Sequence, residues 1–310
     1  MELDPARLDA LAAVVEEGSF EAAARRLHVT ASAVSQRVKA LEQQAGQVLV
    51  LRARPCRPTG AGRTLVRLAG QIATLRAEAA REVTGAGDLL RLPVAVNADS
   101  LSTWFPTALV GLPEHVLVDL HREDQDHSAE LLRDGAVMAA VTADARAVQG
   151  CRVRPLGAMR YLAVAAPGFH ERWFGGAAGG PGDLAAGLRV APHLTFNRKD
   201  GLQDRFVERV IGRSTGTVGT VGTVGPHPPR PVHYVPSSSA FVDLVQAGLG
   251  WGMVPENAAS DLVADGILVP LDDEGLDVPL YWQHWRIDAP SLVDLTLRVE
   301  RVARASLRPI

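Results

Sequence analysis

Residues 16–62 read EEGSFEAAARRLHVTASAVSQRVKALEQQAGQVLVLRARPCRPTGAG, and this stretch decides the N-terminal fold. Just upstream, Asp4-Pro5 is a helix start: Asp caps free amides and Pro fits the first helical position. Leu8, Leu11, Ala12 and Val15 follow at helical spacing. Gly18 ends that helix and Ser19 caps a second, FEAAARRL, with Ala23, Ala24 and Leu27 inward. After His28-Val29, Thr30 caps a third helix, whose inward stripe is Val34, Val38 and Leu41. Its opposite face carries Ser32, Ser35, Gln36 and Lys39, all able to hydrogen-bond and none bulky, with Arg37 beside them. Two short helices, a tight turn and a helix with a small polar face predict a helix-turn-helix, whose second helix fits the DNA major groove. The run VLVLRARPCRPTG alternates as a short hairpin does, placing Arg52, Arg54 and Arg57 on a wing. The competing reading is a small helical bundle with a solvated polar face and a solvated arginine loop.

Charge decides between them. From Ala22 to Arg67 there are nine Lys or Arg residues against one acid, Glu42, a net +8. The whole chain of 310 residues carries −3, so the remainder is −11. A basic island on an acidic chain predicts a polyanion partner for that island alone. The length suggests two or three domains. With 47% hydrophobic and 22% charged residues, disordered and collagen-like readings are excluded. No apolar run reaches the ~18–20 residues a membrane span needs. The acidic, amphipathic N-terminus is not a signal peptide, so a cytoplasmic protein is expected. Cys56 and Cys151 are the two cysteines, which excludes a disulfide framework or a Cys-rich metal site. The scattered histidines lack metal-ligand spacing, and neither a Gly-x-Ser-x-Gly elbow nor a phosphate or dinucleotide loop is present. No enzyme and no metal are expected.

The run 16–62 resembles the winged helix-turn-helix of LysR-type transcriptional regulators. The family pattern stands here as Ser19-Phe20, Ala22-Ala23-Ala24, Leu27 to Thr30, Ser35-Val38-Leu41-Glu42, Arg52 and Thr59-Gly62. The resemblance implies base or phosphate contacts by Ala31, Ser32, Ser35, Gln36, Arg37, Lys39, Arg52, Arg54 and Arg57. Where the family often has Gln, this chain has Ala31, which offers only a methyl contact, so base readout leans on Ser32, Gln36 and Lys39.

From Arg63 onward, Leu65, Leu68, Ile72, Leu75 and Ala79 recur at alternating spacings of three and four, a heptad seam. It predicts a linker helix holding a dimer, with two recognition helices on a near-palindromic site. The alternative is a core helix of one globular domain, which carries a wider apolar stripe.

Beyond residue 87, the runs LPVAV, VLVDL, VMAAV, YLAVAA, LRVA and LYWQHW alternate with helical stretches, predicting an α/β module with largely parallel sheet. Ligands of such sheets bind beyond the strand ends. Polar residues there are Asn97, Asp99 and Ser100 after the first strand, Glu123, Asp124 and Asp126 after the second, Thr142 after the third, Thr195 and Asn197 after LRVAPHLTF, and Ser237 to Ser239 after VHYV. Helix capping and a solvated acidic turn are the plainer explanations. Hydroxyls for a carboxylate together with a carboxylate cluster suit an amino acid with a basic side chain. The tandem Gly-Thr-Val repeat from Gly216 and GGAAGGPG from Gly175 read as loop insertions.

The segments AVNADSLSTW, EDQD, LGAMRYLAVAAPGF, SSSAFVDLVQAGLGWGMVP and LYWQHW resemble the arginine- and lysine-responsive branch of the LysR-type family. That implies a multi-domain α+β chain: a winged helix-turn-helix over 1–62, a linker helix over 63–87 and an effector module over 88–310. The module divides into subdomain I, 88–161 and 267–310, and subdomain II, 162–266, resembling periplasmic binding proteins. The resemblance also implies L-lysine or L-arginine as effector and no cofactor. The effector pocket is drawn from Asn97, Asp99, Ser100, Glu123, Asp124, Thr142 and Ser238. Implied partners are double-stranded DNA at a near-palindromic promoter site, a second copy in a homodimer or homotetramer, and RNA polymerase, with no membrane. A basic amino-acid exporter gene is the implied target. The rival readings are a LysR-type regulator of another effector, an effector-independent architectural DNA-binding protein, and a ligand-binding protein whose N-terminal region only dimerises.

Overall fold

A computed structural model describes residues 3–85, 87, 89–122, 128–175, 184–214 and 230–310. The Gly-Thr-Val repeat, nearly all of GGAAGGPG, and the acids Glu123, Asp124 and Asp126 lie outside the described residues. The chain divides into two compact units. Unit 1 is Met1–Asn97, Thr107–Leu156 and Leu280–Val302; unit 2 is Ala98–Pro106, Gly157–Pro279 and Ala303–Ile310.

Unit 1 begins with α1 (Pro5–Glu17), α2 (Phe20–Arg26) and α3 (Ala31–Ala45). Local chemistry sets each start. Asp4, Ser19 and Thr30 accept hydrogen bonds from the backbone N–H groups of Ala6, Ala22 and Ala33. Gly18 (φ 70°) and Gly46 (φ 69°) close α1 and α3 in the left-handed region that glycine adopts without strain. Leu8, Leu11, Val14, Val34, Val38 and Leu41 are buried together, each aliphatic side chain worth about 1.5–3 kcal/mol when removed from water. Ala10, Ala13 and Val14 are buried in α1, whereas Ala12 and Val15 are only partly so. The apolar stripe is therefore wider than the expected one.

A two-stranded antiparallel wing follows, β1 (Val50–Leu51) with β2 (Arg57–Pro58), Leu51 opposite Arg57. Glu42 on α3 accepts the Leu49 N–H at 2.8 Å, tying the wing to the third helix. Thr59 caps α4 (Gly60–Thr84) and donates its hydroxyl to Val48 O at 2.8 Å. A Cβ at Gly62 would overlap the Leu49 carbonyl oxygen, which is why glycine stands there.

Helix α4 does not keep its heptad seam free. Leu65 is buried, Leu68 and Ile72 pack on the helix-turn-helix core, and only Leu75 (43% exposed) and Ala79 face outward. The spacing is right, but the first half of the seam is covered by the chain's own α1. Arg63 pairs with Asp134 at 3.1 Å, and Arg67 donates to Gln149 O. Gly70 lies under Trp285, a Cβ there meeting the ring at 2.7 Å.

The sheet of unit 1 runs β11, β5, β3, β4, from β3 (Leu90–Val96), β4 (Val116–Arg122), β5 (Ala139–Thr142) and β11 (Leu276–Trp285). β3 is parallel to β4 and β5, and β11 is antiparallel to β5. Between them lie α5 (Ala98–Ser102) and α6 (Phe105–Leu109), and then α7 (Ser128–Asp134). In unit 2, β6 (Cys151–Ala165, shared with unit 1) is flanked antiparallel by β9 (Gly252–Pro255) and β10 (Val269–Pro270), while β7 (His193–Thr195) is parallel to β8 (Val232–Tyr234). Helices α8 (Pro167–Phe174), α9 (Leu184–Val190), α10 (Leu202–Ser214), α11 (Ser238–Gln246) and α12 (Glu256–Ala264) surround these strands, and α13 (Pro290–Ser306) closes the chain. Val164, Leu194, Phe241, Val245, Val254 and Leu268 form one buried apolar cluster of unit 2.

Two expectations are corrected. The module is mixed rather than largely parallel, because β9, β10 and β11 return antiparallel. LRVA ends helix α9 rather than forming a strand; a four-residue apolar run has too little length to separate the two periods. The chain passes between the two units five times, twice within strands, at Leu156–Gly157 in β6 and at Pro279–Leu280 in β11. At these two points a continuous strand carries the chain across.

Candidate functional site

On α3, Ser32, Gln36 and Lys39 are exposed, while Ala31, Ser35 and Arg37 are half-buried beside them. The exposed three lie at steps of four and three, one face of a helix. Their opposite face is the buried Val34, Val38 and Leu41. On the wing, Arg52, Arg54 and Arg57 are exposed. The basic island is not uniform. Arg26 pairs with Glu16 and Glu17, Arg63 and Arg67 are held by unit 1 itself, and the Arg52 guanidinium stacks 4.8 Å over the Phe20 ring. Arg25, Lys39, Arg54 and Arg57 are the exposed cations that remain beside α3 and the wing.

Unit 2 contains a small cleft, whose roughly 310 Å³ of empty space includes open solvent. Asp99, Asp200 and Ser238 supply its polar wall; Phe196, Leu202, Phe241, Val242, Met253 and Pro255 supply the apolar one. Asp99, in the first turn of α5, accepts from the Tyr161 hydroxyl at 2.8 Å and from the Ser238 hydroxyl at 2.8 Å, one on each oxygen. Tyr161 is fully buried. Burial lifts the Asp99 carboxyl above the ordinary carboxylate range; the Tyr161 and Ser238 hydrogen bonds pull it back, and the charge of Asp200 adds to the rise. Asp200 precedes α10 and accepts the backbone N–H groups of Phe196 (3.1 Å) and Leu202 (3.0 Å).

The structure thus brings Asp99 and Ser238 together. Ser100 is placed differently from expectation. Helix α5 starts at Ala98, three residues too early for Ser100 to cap it, and the fully buried Ser100 Oγ has no hydrogen-bond partner among the described residues. Asn97 and Thr142 belong to unit 1. Asn97 Oδ1 is buried without a partner among the described residues, and Thr142 Oγ1 accepts the Asp144 N–H at 3.1 Å. Tyr161 and Asp200 were missed by the sequence reading. Tyr161 sits mid-strand among apolar residues and carries no local signal. Asp200 had one: an Asp two residues before a helical run, after a strand.

Residues 5–63 match the family described as bacterial regulatory helix-turn-helix protein, lysR family, and residues 90–291 match the LysR substrate binding domain. The HTH-type transcriptional regulator LysG of Mycobacterium tuberculosis is 50% identical over 309 residues, 99% of this chain and 96% of that protein. The lysine export transcriptional regulatory protein LysG of Corynebacterium glutamicum is 41% identical over 309 residues, 99% of this chain and 100% of that protein. The full-length structure of LysG from Corynebacterium glutamicum with bound effector Arg superposes with a TM-score of 0.79 at 38% identity, covering 99% of this chain and 100% of that one. Two domain matches in the family's order and identity along almost the entire length place one conclusion beyond the fold: this chain is a DNA-binding transcriptional regulator belonging to the LysR family.

Proposed function

We propose that this regulator senses a basic amino acid, L-lysine or L-arginine, and controls a gene for its export. The observation that carries the reading is Asp99: a half-buried carboxylate lining a cleft, with its two oxygens held by Tyr161 and Ser238 and with another carboxylate, Asp200, as its charged neighbour. Keeping such a group ionised is costly unless a cation arrives. A ligand that brings an ammonium or guanidinium relieves that cost, and the apolar wall suits the methylene stem of lysine or arginine. The Arg bound by the Corynebacterium relative supports the same class of ligand, and that relative's name supports the export target.

A free amino acid also carries an α-carboxylate and an α-ammonium. We assign Asn97, Ser100 and Thr142 to the carboxylate end, and Glu123 and Asp124 to the remaining cation, from their positions after the strands. At the other end of the chain we assign base contacts to Ala31, Ser32, Ser35 and Gln36 with Lys39, and phosphate or minor-groove contacts to Arg37, Arg54 and Arg57, with Arg52 bracing the wing that carries them. Two such heads in a dimer or tetramer read a near-palindromic promoter site.

The test is calorimetry of the full chain with lysine, arginine and the neutral isostere citrulline, paired with binding of a labelled promoter fragment with and without each. Lysine or arginine should bind and change the DNA complex, and citrulline should bind far more weakly. A chain that ignores both basic amino acids has a different effector. One that binds DNA identically with every ligand is an architectural protein.

A further inference from the structure

We infer that Asp200 is the residue that makes this cleft selective for a cationic side chain; the inference rests on the basic amino-acid reading above. Asp99 and Asp200 share the cleft, but the fold holds them differently. Asp99 is pinned by two side-chain hydroxyls, those of Tyr161 and Ser238. Asp200 is pinned by two backbone N–H groups, one from the end of the β7 segment at Phe196 and one from the first turn of α10 at Leu202. Backbone donors fix the Asp200 carboxylate as rigidly as the loop itself, and each carboxylate oxygen keeps lone-pair capacity for a further donor.

The apolar wall offers a path for the methylene chain of a ligand. Phe196 and Leu202, the two residues whose N–H groups hold Asp200, also line the cleft. A methylene chain lying on them reaches Asp200 with its far end. A guanidinium or ammonium there gains a charge-assisted hydrogen bond, and a neutral end group of the same shape gains none of the charge term. Discrimination of this kind is strong because a site built around a polar partner rejects the analogue that lacks it.

The variants are Asp200→Asn and Asp200→Ser in the full chain. Both variants keep one oxygen able to accept a backbone N–H without the charge, and citrulline, which makes no charge-assisted contact, reports any loss that comes from the loosened loop rather than from charge. Arginine and lysine are titrated directly, and citrulline by displacement of bound arginine. Both variants should bind arginine and lysine about 30-fold or more weakly, the scale of a broken buried ion pair, with citrulline unchanged and effector-free DNA binding intact. Unchanged arginine affinity, or equal losses for arginine and citrulline, overturns the assignment. If wild type binds neither lysine nor arginine, the effector reading itself falls, an outcome distinct from failure at Asp200.

Discussion

The guanidinium of Arg52 lies 4.8 Å over the ring of Phe20, so a wing residue is braced against the second helix of the same domain. A cation–π contact at an exposed site contributes about 0.5–1 kcal/mol. Arg54, two residues on, is exposed at the tip of the wing. Arg52→Ala should therefore weaken DNA binding by loosening the wing, while leaving the salt slope nearly unchanged. Arg54→Ala should flatten that slope by about 0.9, the signature of one lost phosphate contact. Titrations of a promoter fragment across a salt series separate the two; equal slope changes would refute the distinction.

Gln36 stands at the centre of the exposed face of α3, between Ser32 and Lys39. Gln36→Ala should cost ~1–3 kcal/mol on the preferred site if its amide contacts a base bidentately. Random DNA should be little affected. Competition between the promoter site and random duplex reads the ratio directly, and a ratio equal to wild type would exclude base reading by Gln36.

Leu68 packs on the helix-turn-helix core, but Leu75 is 43% exposed on α4. A charge at Leu75 tests association without touching the fold of the reading head. Leu75→Lys should shift the chain toward monomer in sedimentation and lower operator affinity, with thermal stability of the N-terminal domain preserved. Unchanged sedimentation and affinity would place the dimer contact elsewhere.

Asp99 gives the cleft of unit 2 a pH dependence whose sign is determined. Its carboxyl is raised, chiefly by burial and further by Asp200, so the folded chain holds that proton to higher pH than the unfolded chain does. Its contribution to stability is present at low pH and fades as pH rises through the raised value. A cationic ligand needs the ionised form, so affinity should rise over the same interval, with proton release on binding. Asp99→Asn should remove that dependence and cost ~2–5 kcal/mol in arginine binding. Calorimetry in buffers of different ionisation heat measures the released proton; no release at any mildly acidic pH would contradict the account.

His193 supplies the opposite sign. Burial, reinforced by the nearby Arg230 charge, lowers its pKa from 6.5 to about 4. The neutral ring is favoured in the fold, so this stabilisation is complete above the unfolded value and is lost as pH falls from 6.5 toward 4. The full effect is on the order of 3 kcal/mol. His193→Phe should show a flatter thermal stability profile across that window than wild type. A parallel profile would show that His193 is not the group responsible.

The N-terminal domain was legible because its signals are local. Caps at Asp4, Ser19 and Thr30 act within three residues, glycines close α1 and α3, and the buried stripe of α3 repeats with the helical period. The Glu42 to Leu49 and Gly62 to Leu49 contacts also sit at short separations, which is why the motif reads as one unit. LRVA failed for the complementary reason: four apolar residues are compatible with either period, and packing chose helix.

By itself, then, the sequence determined the DNA-reading head, its polar face, the existence of the linker helix and the strand–helix alternation that follows. Tertiary structure alone decided how the cations are used, since Arg26, Arg63 and Arg67 find partners that no spacing rule announces. It also decided which half of the α4 seam stays open, because α1 covers the other half. The cleft is the clearest case. Asp99, Tyr161, Asp200 and Ser238 come from α5, β6, the turn before α10 and the start of α11, and hydrogen bonds between groups so distant in sequence form only when the chain has closed around them.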